Sequence, residues 1–148
     1  MKRHVHNILL LTITFLVSSC ESYLINGDLD GFWQAISIEE KETGNIINCQ
    51  GDIYYSFQRE LVSITYVTPD VPAGKIKETY IAYFDYSNDS ITMGDFRIYK
   101  YSDGPQAPLA ELEKFGLYET YTTFLVEKLD KNSLIMSSNK SRIVLKKY

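Results

Sequence analysis

From residue 32 onward, apolar and polar side chains alternate with a period of two in short runs, and clusters of Gly, Asn, Asp, Ser and Pro separate the runs. That period puts one set of side chains on one face of a pleated strand and the remainder on the other. The runs predict strands over residues 32–39, 53–58, 61–67, 78–86, 90–94, 96–101, 122–129, 134–138 and 142–147, rich in Val, Ile, Thr, Tyr and Phe. Turn chemistry predicts reversals at 40–45, 68–74, 86–90, 129–133 and 138–141. One connection is longer than a hairpin. In residues 104–116 Pro108 can open a short helix, Leu109, Leu112 and Phe115 share one face, and Gly116 supplies a stop. A helix over 105–115 is expected on the outside of the strands or across one end of them. Hairpin-length links favour an up-and-down antiparallel meander, and closing such a meander removes its exposed edges. Eight or so strands suffice for a small barrel.

The first twenty residues follow a different pattern. Lys2 and Arg3 precede a ten-residue apolar run, Ile8 to Val17, followed by Ser18, Ser19 and Cys20. Ten residues are too few for a bilayer that needs about 20 in a helix, so the run reads as an export signal that is removed. Val17-Ser18-Ser19-Cys20 resembles the bacterial lipobox, in which the cysteine is lipidated and becomes the new N-terminus. The resemblance implies a signal peptide over 1–19, a tether over 20–28 and a barrel domain over 29–148. A disulfide between Cys20 and Cys49 is the competing reading of two cysteines in an exported chain. With Cys20 acylated, Cys49 is a small, half-buried apolar residue, since no histidine stands by to lower its pKa.

Removing the signal changes the charge. The whole chain carries 15 Lys plus Arg against 19 Asp plus Glu, formally −4; losing Lys2 and Arg3 takes it to −6. An acidic domain without a basic run is a poor match for nucleic acid. Both histidines, His4 and His6, leave with the signal, which excludes Ser-His-Asp and Cys-His nucleophile pairs and imidazole metal sites from the mature chain. No phosphate loop, dinucleotide fingerprint, HExxH or CxxC is present. The expectation is a protein that is not an enzyme, with no cofactor and no metal. Asp28, Asp30 and Glu39 lack the spacing of a calcium loop, and Glu39, Glu40 and Glu42 read as a solvated cluster in a hairpin.

Gly31-Phe32-Trp33 at the start of the first strand resembles the G-x-W motif of lipocalins and lipocalin-like families. The wider pattern, "LDGFWQAISIE", "IYYSFQRELVSI", "TFLVEKLDKNSLIMSS" and "RIVLKKY", is similar to the lipocalin-like lipoproteins of Bacteroidetes and spans nearly the whole mature chain. The resemblance implies an all-β, lipocalin-like barrel. It also implies that Gly31 and Trp33 form a closed floor, with a late Arg, here Arg142, lying over the Trp by a cation-π contact.

Two readings of function follow. In the first, the barrel holds a small, partly apolar or aromatic ligand, with Trp33, Tyr55, Phe57, Tyr66, Phe124 and Met136 as candidate contacts, since inward positions line any cavity in such a barrel. In the second, bulky inward residues fill the barrel, and its Tyr-rich loops, in a chain with 12 tyrosines, contact another protein of the cell envelope. Both place the protein at a bacterial membrane through a lipid on Cys20. The outer membrane is preferred, because Glu21 after the cysteine is similar to the acidic surface-export signals of Bacteroidetes lipoproteins.

Overall fold

The computed structural model describes residues 24–49, 51–67, 78–99 and 104–148. The predicted signal, Cys20, the turn at 68–74 and the strand end at Tyr101 lie outside the described residues. Among those described, nine strands run in sequence: β1 (Gly31–Glu40), β2 (Asn45–Asn48), β3 (Ile53–Gln58), β4 (Leu61–Tyr66), β5 (Glu78–Ser87), β6 (Ser90–Ile98), β7 (Tyr121–Leu129), β8 (Ser133–Ser137) and β9 (Ser141–Lys147). A 3-10 turn, Gly27–Leu29, precedes β1. One helical turn, α1 (Leu109–Leu112), continues as a 3-10 turn over Glu113–Phe115 between β6 and β7.

Every pairing is antiparallel, and β1 pairs with β9 to close the sheet. The second and third strands share one position in it. β2 lies beside residues 37–40 of β1 and β3 beside residues 31–34, so the two are halves of one stave. Nine strands therefore make an eight-stave, up-and-down closed barrel with one short helix, as the alternation and hairpin-length links predict. The hairpin between β5 and β6 has Asn88 at φ 50° and Asp89 at φ 56°. Positive φ at both central residues matches the turn to the right-handed twist of its strands.

The departures from prediction fall at bulges. Residues 45–48, "NIIN", are exposed throughout, so they carry no in-out alternation, and β2 was not foreseen. The strands expected at 90–94 and 96–101 are one, β6, whose pairing with β5 slips between Ile81 and Tyr83. Asp95, at φ 54°, takes up the extra residue, and inward positions change phase from Ile91 and Met93 to Phe96. A bulge at Ile36 does the same in β1, turning Trp33, Ala35 and then Ile38 inward.

Candidate functional site

The floor is built by the two ends of the chain. Trp33 is completely buried, and its indole N–H donates to the Leu29 carbonyl at 2.8 Å, inside the 3-10 turn that crosses beneath it. Register places Lys147 of β9 opposite Trp33. Its Nζ stands 4.2 Å from the ring centroid and donates to the carbonyls of Asp28 at 2.9 Å and Asp30 at 2.6 Å. Burial holds the Lys147 ammonium below its usual pKa against the opposing pull of Asp28 and Asp30. Gly31 is what the arrangement requires. Its φ is +134°, and a Cβ there would meet Lys147 Cε and Nζ at 2.8 Å.

The expected role of Arg142 is corrected by this geometry. Arg142 pairs with Glu39 and Ser137 on the outer wall, where its Nε donates to Glu127 at 2.8 Å. Alternation along β9 turns Ile143, Leu145 and Lys147 inward and Arg142 outward, so the cation over the Trp is the lysine five residues later.

The opposite mouth is closed by the segment around α1. Gly116, at φ +80°, ends the 3-10 turn in the left-handed conformation, the stop expected of it. Phe115 is wholly buried and packs against Tyr80 at 5.5 Å and Tyr66 at 6.4 Å between ring centroids. Two barrel side chains bind the carbonyls of this turn: Tyr55 Oη donates to Phe115, and Ser141 Oγ donates to Gly116 at 2.6 Å. Lys114 reaches Glu78 at 2.6 Å, and Tyr80 Oη donates to Glu111 at 2.9 Å. The predicted helix thus lies across a mouth rather than on the outer wall.

Between floor and mouth stand the candidate ligand contacts. Trp33, Tyr55, Phe57, Phe124 and Met136 each have 0 % of their surface exposed, so no water-sized space adjoins them. They meet one another and the rest of the core instead: Phe57 packs edge-on to Phe84 at 5.2 Å and stacks with Tyr55 at 6.5 Å. Tyr66 is half-buried at the mouth, with Lys114 Nζ 4.8 Å from its ring centroid. Burial pushes the Tyr55 phenol above its ordinary pKa. The structure brings the six candidates into one body, and that body is a packed core.

One open concave site lies on the outside of the barrel. Register sets Leu61, Tyr83, Gly94 and Tyr121 in one row across β4, β5, β6 and β7. Gly94 carries no side chain, and a Cβ there would collide with the Thr120 carbonyl and the Tyr121 ring, so Tyr121 lies down over the β6 bulge. With Tyr99, Ile81, Asp95 and Arg97 these residues line a groove of about 440 Å³. Tyr83, Tyr99 and Tyr121 are 73 %, 61 % and 64 % exposed. Asp95 and Arg97 form a loose ion pair of 3.8 Å. Sequence reasoning foresaw outward tyrosines without naming these three, because only the cross-strand register unites them.

Cys49 is half-buried and forms no disulfide among the described residues, and its thiol pKa is pushed up to about 11 by burial and by Asp52. Among the described residues no three His, Cys, Asp or Glu side chains are grouped to hold a metal, and no helix is long and apolar enough to cross a membrane.

An eight-stave meander with a Trp-sealed floor defines a lipocalin-like barrel. The chain belongs to the family of the lipocalin-like domain, whose model matches residues 14–148. It is similar to a lipocalin-like protein from Bacteroides uniformis of known crystal structure, at 22 % identity and a TM-score of 0.59 over 82 % of this chain and all of that one. A protein of uncharacterized function from Bacteroides eggerthii aligns at 16 % identity and a TM-score of 0.56, over 81 % of this chain and 99 % of its own. No curated protein matches the chain.

Proposed function

We propose that this is an exported lipoprotein of the cell envelope, held at a membrane by a lipid on Cys20, whose solid barrel presents the Tyr83-Tyr99-Tyr121 groove to another envelope protein. The packed interior carries the reading. A carrier needs space for its ligand, and five of the six side chains that would line that space are wholly buried against the core. The groove has the opposite character: among the described residues three exposed tyrosines and Arg97 line it, with Asp95 paired to that arginine and neither Lys nor Glu. That is the composition of interface cores and hot spots.

The test begins with protein purified from an exporting host. Native mass spectrometry should find the barrel free of any retained small molecule, and Trp33 emission should stay unchanged on titration with fatty acids, sterols or tetrapyrroles. A stoichiometric bound compound, or a saturable shift in emission, returns the ligand-carrying reading. Intact-mass analysis of the N-terminus should find acylated Cys20. An N-terminus elsewhere, with Cys20 bridged to Cys49, removes the anchor.

A further inference from the structure

The aromatic wall beside the chain's entry point has no task in the barrel. Phe32, Tyr54 and Tyr148 form a three-ring cluster outside β1, β3 and the end of β9, with centroids 5.2 to 5.8 Å apart. Tyr148 is 77 % exposed, and Phe32 is exposed beside it. Leu24 and Ile25, the first described residues, are exposed as well. Leu24 and Phe32 line one shallow groove with Arg59 at the floor. Apolar side chains thus continue from the start of the domain onto the wall beside it.

We propose that this surface, Leu24, Ile25, Phe32, Tyr54 and Tyr148, rests on the lipid bilayer and sets the barrel floor-down on the membrane. The inference relies on the lipid anchor at Cys20 proposed above. Tether length chooses the occupant. Three residues separate Cys20 from Leu24, and four extended steps span at most about 14 Å. The chain is then fixed at the floor: the Asn26 side-chain amide donates to the Arg59 carbonyl at 2.8 Å and to Asp30 at 2.6 Å. Tyrosine rings at the headgroup boundary keep the apolar body in lipid and the hydroxyl in water. Charge argues for a zwitterionic surface. The exposed charges Arg59, Lys146, Asp28 and Glu60 are two of each sign, with no run of cations to draw anionic lipid.

This orientation assigns the barrel's two broad walls. The aromatic wall centres on β1, and the tyrosine groove spans β4 to β7 on the far side of the ring of staves. Seating these floor-end aromatics in lipid therefore leaves the groove, on the far staves, free for a partner.

Reporter tryptophans test the seat. Tyr148→Trp places one in it, and Leu109→Trp places one at the opposite mouth; both positions are exposed, and buried Trp33 contributes alike to each. The protein is anchored in phosphatidylcholine-phosphatidylethanolamine vesicles with brominated acyl chains. Anchoring uses its own lipid where mass analysis finds one, or a maleimide phospholipid coupled to Cys20 in the Cys49→Ser background where it does not. The mass reads the anchor, and the quenching reads the seat. Brominated chains should quench and blue-shift the Tyr148→Trp signal while leaving Leu109→Trp unchanged. Adding Tyr54→Glu to Tyr148→Trp should abolish the quenching without detaching the protein. Equal quenching of the two reporters, or none at Tyr148→Trp on the anchored protein, overturns the proposal.

Discussion

The floor and the mouth of the barrel each end in a buried aromatic, Trp33 below and Phe115 above, yet the chain reaches them by different routes. Trp33 belongs to β1 itself. Its indole bonds to a carbonyl four residues earlier, and the lysine above its ring comes from the strand that closes the sheet. Closing the barrel and sealing the floor are therefore one event. Phe115 arrives on a segment between β6 and β7 that belongs to no stave, and barrel side chains hold that segment at discrete points, Tyr55 and Ser141 from within and Glu78 and Tyr80 at the rim. The mouth carries a stopper whose helical turn is fixed by side-chain bonds and whose start, at residues 105–107, pairs by backbone with β6; that turn can yield without opening the sheet.

The largest expected effects test that difference directly. Truncating a large buried aromatic costs about 3–5 kcal/mol, less where the surroundings can collapse into the space. Trp33→Ala should lie at the upper end, because sheet walls surround it. Phe115→Ala should lie near or below about 3 kcal/mol, because its segment can settle inward. Urea unfolding followed by circular dichroism reads both, and Trp33 emission should remain blue-shifted in Phe115→Ala. Equal costs, or a red shift of Trp33 on truncating Phe115, would make floor and mouth a single core.

Alkali sharpens the comparison. The pKa of Tyr55 is raised by burial, and that of Tyr80 by burial and then by its hydrogen bond to Glu111. A raised folded pKa means that the native state keeps a proton the unfolded chain releases. The stability these phenols contribute is complete below the unfolded value of 10.0 and is lost as pH rises above it. Lys147 at the floor has the opposite sign. Its lowered pKa lets the unfolded chain hold the proton more tightly, so its contribution grows as pH approaches 10.5. Stability above pH 10 should therefore fall through the mouth, and Tyr55→Phe should flatten that fall. At neutral pH the same variant leaves the Phe115 carbonyl without its donor, at about 1–3 kcal/mol. An unchanged alkaline slope in Tyr55→Phe would place the titrating group elsewhere.

The two ends also differ in how far they could be read from sequence. Trp33 and Gly31 stand in a three-residue motif, so the floor was legible locally. The stopper was legible too, since Pro108, the 109-112-115 spacing and Gly116 lie within nine residues. The partners that complete each end were not. Lys147 lies 114 positions beyond Trp33, and register selects it; that register depends on the bulge at Ile36, which alternation alone does not reveal. The same holds for the groove, where the bulge at Asp95 split one strand into two predicted ones and hid the row of Tyr83, Gly94 and Tyr121. Inward residues were legible as a set, but whether they enclose space depends on volumes summed around the ring, and Phe115 fills part of that volume from outside the staves.

The smallest effect separates Arg142, the cation that sequence reasoning placed over Trp33, from Lys147, the one that register puts there. Lys147 lies over Trp33 and donates to two carbonyls; a cation-π contact at a partly exposed site contributes about 0.5–1 kcal/mol, and hydrogen bonds to a charged donor about 1.5–3 kcal/mol before screening and the burial of the ammonium offset part of them. Lys147→Met keeps the apolar stem and removes the charge, and should cost about 1–2 kcal/mol in urea with a small change in the emission of Trp33, whose ring loses its cation. Arg142→Met breaks only the pair with Glu127 on the outer wall, worth at most about 1 kcal/mol, and should leave the emission untouched. A spectral change in Arg142→Met without one in Lys147→Met would reverse the assignment and mean that β9 sits five residues out of its register against β1.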